Sequence, residues 1–432
     1  MSRTMKDSGI PWIGDMPSHW RMELIGSCIK EVNNPNTDNA EDNALQFKMG
    51  TIISKKGGDS KYNPETLEAY NKVQQGDIII NGLNLSFDFI SQRVGLVKEN
   101  GVITSTYLAL RPLPLIDSRF LNYLFKGYDN CKALHSMGRG LRATLGYNEF
   151  RKYSVIFPSL HEQQSIADFL DKKCSEIDEM VSLQEKIAEE LKAYKQSVIT
   201  EAVCKGLNPN APQKDSEIPW LGTIKADYSL SKLIYFLDLL TDGTHQTPTY
   251  IDSGYAFLSI KDMSSGRLDF SNVKYISEEE HLALSKHAPI EKGDILFSRI
   301  GTMGVFVKVD TDTPFDIFVS VGLMKVKKNA INTDYLVYYL SSSCVLNYIN
   351  QVKAGGGTSA AKFNLGDVAK TMILVPDIEE QEAIVKYLDK KCGEVDTLIS
   401  LKKSKIEALK EYKKSIIYEY ITGKKEIPYG EQ

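Results

Sequence analysis

Six histidines, at positions 19, 135, 161, 245, 281 and 287, are the first residues to test for acid–base or metal chemistry. None falls in an H-E-x-x-H pair or another metal-ligand spacing. His281 and His287 stand six apart, off a common helical face, and read as surface residues. No G-x-x-x-x-G-K-[ST] run is present to cradle the phosphates of a nucleotide. Gly138-Arg139-Gly140 and Gly355-Gly356-Gly357 do not match the dinucleotide fingerprint and read as loops. A serine nucleophile would ordinarily sit in a G-x-S-x-G elbow, and there is none. Nor is there an Asn-Pro-Pro-aromatic run with which an amino-methyltransferase grips a flipped base. The expectation is a chain that is no enzyme, with no catalytic residue, no metal and no cofactor of its own.

What remains are polar and basic residues in stretches that turn signals mark as loops. In the first half these are Lys55, Lys56, Arg93, Arg139 and Arg142; in the second they are Thr244, His245, Lys261, Arg267 and Arg299. Arginine forks suit guanine edges and phosphates, while threonine and glutamine reach other base edges or backbone oxygens. Any one of them alone reads as a solvated charge. Their recurrence in loops of both halves makes DNA binding the expectation. Charge itself gives little support, because the chain carries a net −4. Residues 20–157 hold 17 basic against 14 acidic side chains, residues 228–375 hold 14 against 15, and residues 158–205 hold 6 against 10.

These loops need a frame, and the frame is written twice. Residues 167–178 read ADFLDKKCSEID, and residues 385–396 read VKYLDKKCGEVD, an offset of 218 (392 − 174). Glu162-Gln163 recurs as Glu380-Gln381, and Tyr194-Lys195 as Tyr412-Lys413. In the first copy Ile166, Leu170, Ile177, Met180, Ile187, Leu191, Tyr194 and Val198 step alternately by four and three, with Lys173 and Gln184 in the remaining places. That is the seam of a coiled coil. In the second copy Ile384, Leu388, Val395, Leu398, Leu409 and Ile416 follow the same register, and Ile406 lies one position off it. No proline interrupts the chain between Pro158 and Pro209. About 40 residues at ~1.5 Å each make a rod of roughly 60 Å. With half-polar seams, the two copies are expected to pair with one another.

Shorter echoes flank the helices. Lys6-Asp7-Ser8-Gly9-Ile10-Pro11-Trp12 recurs as Lys214-Asp215-Ser216-Glu217-Ile218-Pro219-Trp220. Gln75-Gly76-Asp77 matches Lys292-Gly293-Asp294, and Val155-Ile156-Phe157-Pro158 matches Ile373-Leu374-Val375-Pro376. The expected division is a clasp over 1–19, a globular region over 20–157 and a long helix over 158–205. A linker with a second clasp follows over 206–227, then a second globular region over 228–375, and a second long helix with a tail over 376–432. Between their anchors the globular regions hardly resemble each other, so one scaffold is expected to present two loop sets to two targets. Apolar content of 42% and charged content of 25% are those of a soluble globular protein. Six cysteines without a C-x-x-C pair read as reduced thiols. No run suits a signal peptide or a membrane span, so the expected location is cytoplasmic, away from membranes.

The ordered set of motifs resembles one family, the specificity subunit of type I restriction–modification systems. The resemblance rests on the paired Ile-Pro-Trp clasps and on the Pro158-x-x-x-Glu162-Gln163 and Pro376-x-x-x-Glu380-Gln381 starts of the helices. Gly206-Leu207-Asn208-Pro209, Thr422-Gly423-Lys424 and the stretch Thr241-Asp242-Gly243-Thr244-His245-x-Thr247-Pro248 complete it. It spans essentially the whole chain; Cys204 and Glu217 are modest departures. The resemblance implies an α+β fold: two mixed α/β target-recognition domains separated by two long antiparallel coiled-coil helices, with an internal pseudo-two-fold duplication. It implies double-stranded DNA, two modification (methyltransferase) subunits and restriction subunits as partners. S-adenosylmethionine and ATP with magnesium would reside on those partners. The competing reading is a coiled-coil scaffold whose two globular heads hold proteins, which the net acidity suits.

Overall fold

The computed structural model describes residues 3–55, 67–264, 266–301, 303–354 and 362–428. Its contacts divide it into two units, Met1–Glu185 with Ser404–Gln432, and Lys186–Lys403. Unit 1 is built on strands β1 (Ile29–Glu31), β2 (Ile78–Ile80), β3 (Val94–Leu96) and β4 (Leu108–Pro112), antiparallel in the order β1-β4-β2-β3. Unit 2 repeats this with β5 (Leu237–Asp242), β6 (Ile295–Ser298), β7 (Phe306–Lys308) and β8 (Val321–Val326), in the order β5-β8-β6-β7. The central β2 and β6 are buried at every residue. A short, continuous apolar run suits a strand covered on both faces.

The same turn leads into both central strands. Gly76 and Gly293 take φ of +94° and +96°, which L side chains rarely adopt. The aspartate that follows is buried and neutralised from the neighbouring strand. Arg111 grips Asp77 with two hydrogen bonds of 2.8 Å, and Lys325 reaches Asp294 at 2.9 Å. Burial pushes the Asp294 carboxyl up from its ordinary value, and Lys325 pulls it back.

Four helices matter to the frame: α1 (Ser118–Asn130), α2 (Leu160–Lys205), α3 (Thr333–Leu340) and α4 (Ile378–Ile421). The Glu-Gln pair at the head of α2 and of α4 has a specific job. Gln163 accepts from the N–H of Asp117, the N-cap of α1, and donates to the carbonyl of Pro158. Gln381 does the same between Asn332, the N-cap of α3, and Pro376. Each glutamine thus satisfies backbone groups that burial would otherwise orphan. Glu162 receives Arg3 and the Trp20 indole, and Glu380 receives Lys225 and the Tyr228 hydroxyl.

Within each unit a stretch of α2 pairs with a stretch of α4. In unit 1 Phe169 meets Tyr420, with ring centroids 4.4 Å apart, and Lys413 binds Asp178 at 2.6 Å, so the helices run antiparallel there. In unit 2 Lys195 binds Asp396 at 2.7 Å, the duplicate of the same ion pair. The seam, however, is not the one expected. Leu170, Ile177, Leu191 and Val198 lie on it, but the alternate positions sit one residue further on, at Ala167, Cys174, Val181, Ala188 and Lys195. Met180 and Tyr194 are exposed, and Ile187 and Lys173 only half-buried. In α4 the line runs through Leu388, Cys392, Val395, Ile399, Ile406, Leu409 and Ile416, which leaves Leu398 exposed. Ile406 is therefore in register. Ile166 and Ile384 are buried too, in the cores that each globular region shares with its helices. Small residues let helix backbones come close, so Ala167 and Ala188 hold positions that side-chain bulk alone would assign to Ile166 and Ile187, while Val181 and Lys195 stand in for Met180 and Tyr194.

Beyond the shared sheet the units diverge. Unit 1 adds the hairpin Leu45–Lys48 with Thr51–Ser54 and the pair Asn71–Val73 with Gly101–Ile103. Unit 2 adds a three-stranded sheet centred on Tyr255–Leu258, which runs parallel to Phe315–Ile317 and antiparallel to Lys274–Ile276. No helix among the described residues is long and apolar enough to cross a membrane.

Candidate nucleic-acid interface

In unit 1 two loops are laced together beyond β2 and β3. The Leu85 N–H donates to Ala143 O at 3.1 Å, and the Leu145 N–H to Gly82 O at 2.9 Å. His135 contacts Asp88 O at 3.0 Å, and Phe89 stacks on the His135 ring. Arg139 and Thr144 exchange both backbone hydrogen bonds, so residues 140–143 form a tight tip. Arg139 and Arg142 are exposed at this tip, Arg139 with Glu149 at 3.8 Å. Backbone N–H groups of Ser91 and Ile90 hold the Asp88 carboxyl down at about 2.

Arg93 was expected at the DNA and is instead 1% exposed. Its guanidinium donates to the carbonyls of Asn81, Leu83 and Asp88, at 3.2, 2.8 and 2.7 Å. Its own N–H goes to Asp129, whose carboxyl burial pushes up. Three carbonyls of the 81–92 loop converge on one cation, so Arg93 shapes the loop and does not reach outward. A basic residue in a loop looks the same in sequence whether it points out or in.

Unit 2 holds its loop differently. The Thr244 N–H donates to Ile317 O at 3.1 Å, and Gly243 N–H to Val321 O at 3.1 Å. A Cβ on Gly243 would collide with Ile317 O, so this close backbone approach requires glycine. Asp242, at the end of β5, is buried and gathers its neighbours: Arg299 forms an ion pair with it and His245 lies at 3.2 Å. His287 lies 3.8 Å from Asp242 and 3.0 Å from the Thr241 hydroxyl. Arg299 is the second correction. It is nearly buried, and burial lowers the pKa of its guanidinium. It braces the Thr-Asp-Gly-Thr-His turn from behind. His245 and Gln246 are exposed on the front of that turn, with Thr244 half-buried beside them. A cavity of about 400 Å³ bounded by Tyr255, Phe270 and Tyr275 lies in the same unit but away from these residues.

Of the other expected residues, Lys55, Lys261 and Arg267 are exposed, Lys261 with Asp262 at 3.9 Å. Lys56 and the Gly355–Gly357 run lie outside the described residues. The structure thus brings Arg139 and Arg142 together at one tip, and Thr244 and His245 at another, while Lys55 sits on the hairpin of unit 1. Sequence reasoning missed Asp242 as the organiser of its turn. It also missed the exposed apolar side chains Phe87, Ile90 and Leu141. Apolar residues in a stretch as turn-rich as Asn81-Gly82-Leu83-Asn84 were the available signal.

Residues 249–411 match the family model for the type I restriction modification DNA specificity domain. The MjaVIII type I restriction enzyme specificity subunit of Methanocaldococcus jannaschii is 23% identical over 420 residues, covering 95% of this chain and 93% of its own. The EcoBI specificity subunit of Escherichia coli is 26% identical over 248 residues, covering 56% and 52%. One solved structure, from work on complex assembly and conformational transition of the type I R-M system, superposes with a TM-score of 0.68 at 15% identity. It covers 94% of this chain and 99% of its own, a likeness of fold. With its duplicated sheet, long helices and braced loops, the chain is similar over nearly its whole length to proteins named type I restriction enzyme specificity subunits, and residues 249–411 match the DNA specificity domain of that family.

Proposed function

We propose that each globular region reads one half of a split double-stranded DNA target. The long helices set the separation of the halves and dock two modification subunits, with restriction subunits joining the same assembly. The carrying observation is one sheet order built twice, β1-β4-β2-β3 and β5-β8-β6-β7, with unlike loops on each copy. A duplicated frame supports two equivalent partner sites on one chain, and unlike loops support two different sequences. Residues 20–157 and 228–375 are the two readers in this reading. Arg139 and Arg142 contact DNA in the first, and Thr244 and His245 in the second. S-adenosylmethionine, and ATP with magnesium, belong to the partners.

The test is to co-express the chain with its modification subunits and map methylated adenines across a genome. A bipartite motif is expected. Exchange of residues 228–375 for those of a relative should change one half of the motif and leave the other. A change in both halves would rule out independent readers. Methylation without any sequence motif would rule out the reading altogether.

A further inference from the structure

We propose that Leu141, at the tip of the first reader, meets stacked bases and wedges into one base step of its half-site. This rests on the reading that the first globular region binds DNA. Leu141 is 98% exposed, Ile90 86% and Phe87 74%. Apolar side chains held this far into water cost free energy until a partner covers them. They are also held in place. Their loops are joined at Leu85–Ala143 and Leu145–Gly82, and Arg93 ties down the carbonyls of Asn81, Leu83 and Asp88. A wedge must be rigid, because an unsupported loop would bend before a base step opened.

The surroundings select the occupant. Leu141 stands between Arg139 and Arg142 in sequence, at the tip closed by the Arg139–Thr144 pair. An apolar point flanked by cations suits a duplex, whose phosphates lie outside and whose bases lie within. Proteins that unstack DNA use leucine, isoleucine and phenylalanine in this way, and pyrimidine–purine steps open most easily. Among the described residues of the second reader no large apolar side chain is as exposed as Leu141: the outer face of its turn carries His245 and Gln246, and Tyr250 and Ile251 beyond it are 39% and 41% exposed. Distortion is therefore expected in the first half-site alone.

The assembled complex, the chain with its modification subunits, is bound to cognate duplexes carrying 2-aminopurine at each step of the first half-site in turn. The parent should raise fluorescence at one step. Leu141→Ser should abolish that rise and weaken cognate binding on the order of tenfold. The slope of log affinity against log salt should stay unchanged, since no phosphate contact is lost. Leu141→Met should behave as the parent, and all variants should melt with it, since these side chains are exposed. A Leu141→Ser complex that binds and unstacks as the parent does would overturn the wedge. So would a parent that binds its target without a fluorescence rise at any step. Variants that lose modification subunits while binding DNA normally would assign the tip to a subunit contact instead. A parent complex with no sequence-specific binding would overturn the DNA reading itself, a separately visible failure.

Discussion

The two globular regions share a sheet order and hold their loops in opposite ways. In the first, a buried arginine reaches three backbone carbonyls and leaves the outer face of the loop to apolar residues. In the second, a buried aspartate at a strand end draws in an arginine and a histidine, and the outer face is polar. One brace is chiefly a cation against carbonyl dipoles, with the Asp88 carboxylate 3.6 Å away, and the other is an ion pair with a buried aspartate. The difference shows that the sheet fixes where loops begin, while one or two buried charges per loop decide their shape. Outward-facing residues can then vary without disturbing either.

The largest effect should come from breaking the second brace. Arg299→Ala leaves Asp242 buried without its cation, at a cost of about 3–5 kcal/mol. Arg93→Ala orphans three carbonyls and should cost about 3 kcal/mol, part of it recovered by water. Thermal unfolding measures both. Methylation mapping separates them, because each should blur only its own half of the target. If Arg93→Ala blurred the second half instead, the assignment of braces to readers would be wrong.

The seam gives a contrast of intermediate size. Ala188→Leu overpacks a buried position and should cost about 1–3 kcal/mol. Met180→Ala changes an exposed side chain and should stay within about 0.5 kcal/mol. The reverse order in a melting experiment would restore the seam that bulk alone suggests. The clasps offer a smaller test. Glu217 takes φ of +60° where Gly9 takes +64° in the first copy. Glu217→Gly should therefore stabilise the chain by about 1 kcal/mol, against almost every other substitution at a surface turn. The smallest effect is expected at the ion pairs across the helices. Lys195→Ala and Lys413→Ala should each cost about 0–1 kcal/mol, and less at high salt. Unequal losses would mark the point where the duplication stops being energetic as well as geometric.

Much of this was legible before any fold was in hand. Offsets of 208 and 218 residues are properties of the string, and they require a repeated architecture. The Glu-Gln pairs, the Gly-Asp turns and the Ile-Pro-Trp clasps were visible because backbone needs are local: a cap, a positive φ, a turn. The partners of those motifs were not visible. That Gln163 serves Asp117, or that Asp77 takes Arg111, joins residues 46 and 34 positions apart. The seam was half right for a related reason. Periodicity gives the pitch of a stripe, but backbone approach decides whether Met180 or Val181 faces the partner helix.

The sequence by itself determined the duplication, the long helices, the family resemblance and the absence of a recognisable catalytic motif. Only the tertiary structure decided which basic residues face outward. Arg93 and Arg139 are chemically alike and both lie in loops. One is enclosed by carbonyls from its own chain and the other stands at a tip. The energy of a charge depends on its surroundings far more than on its neighbours in sequence, and those surroundings exist only once the chain has folded.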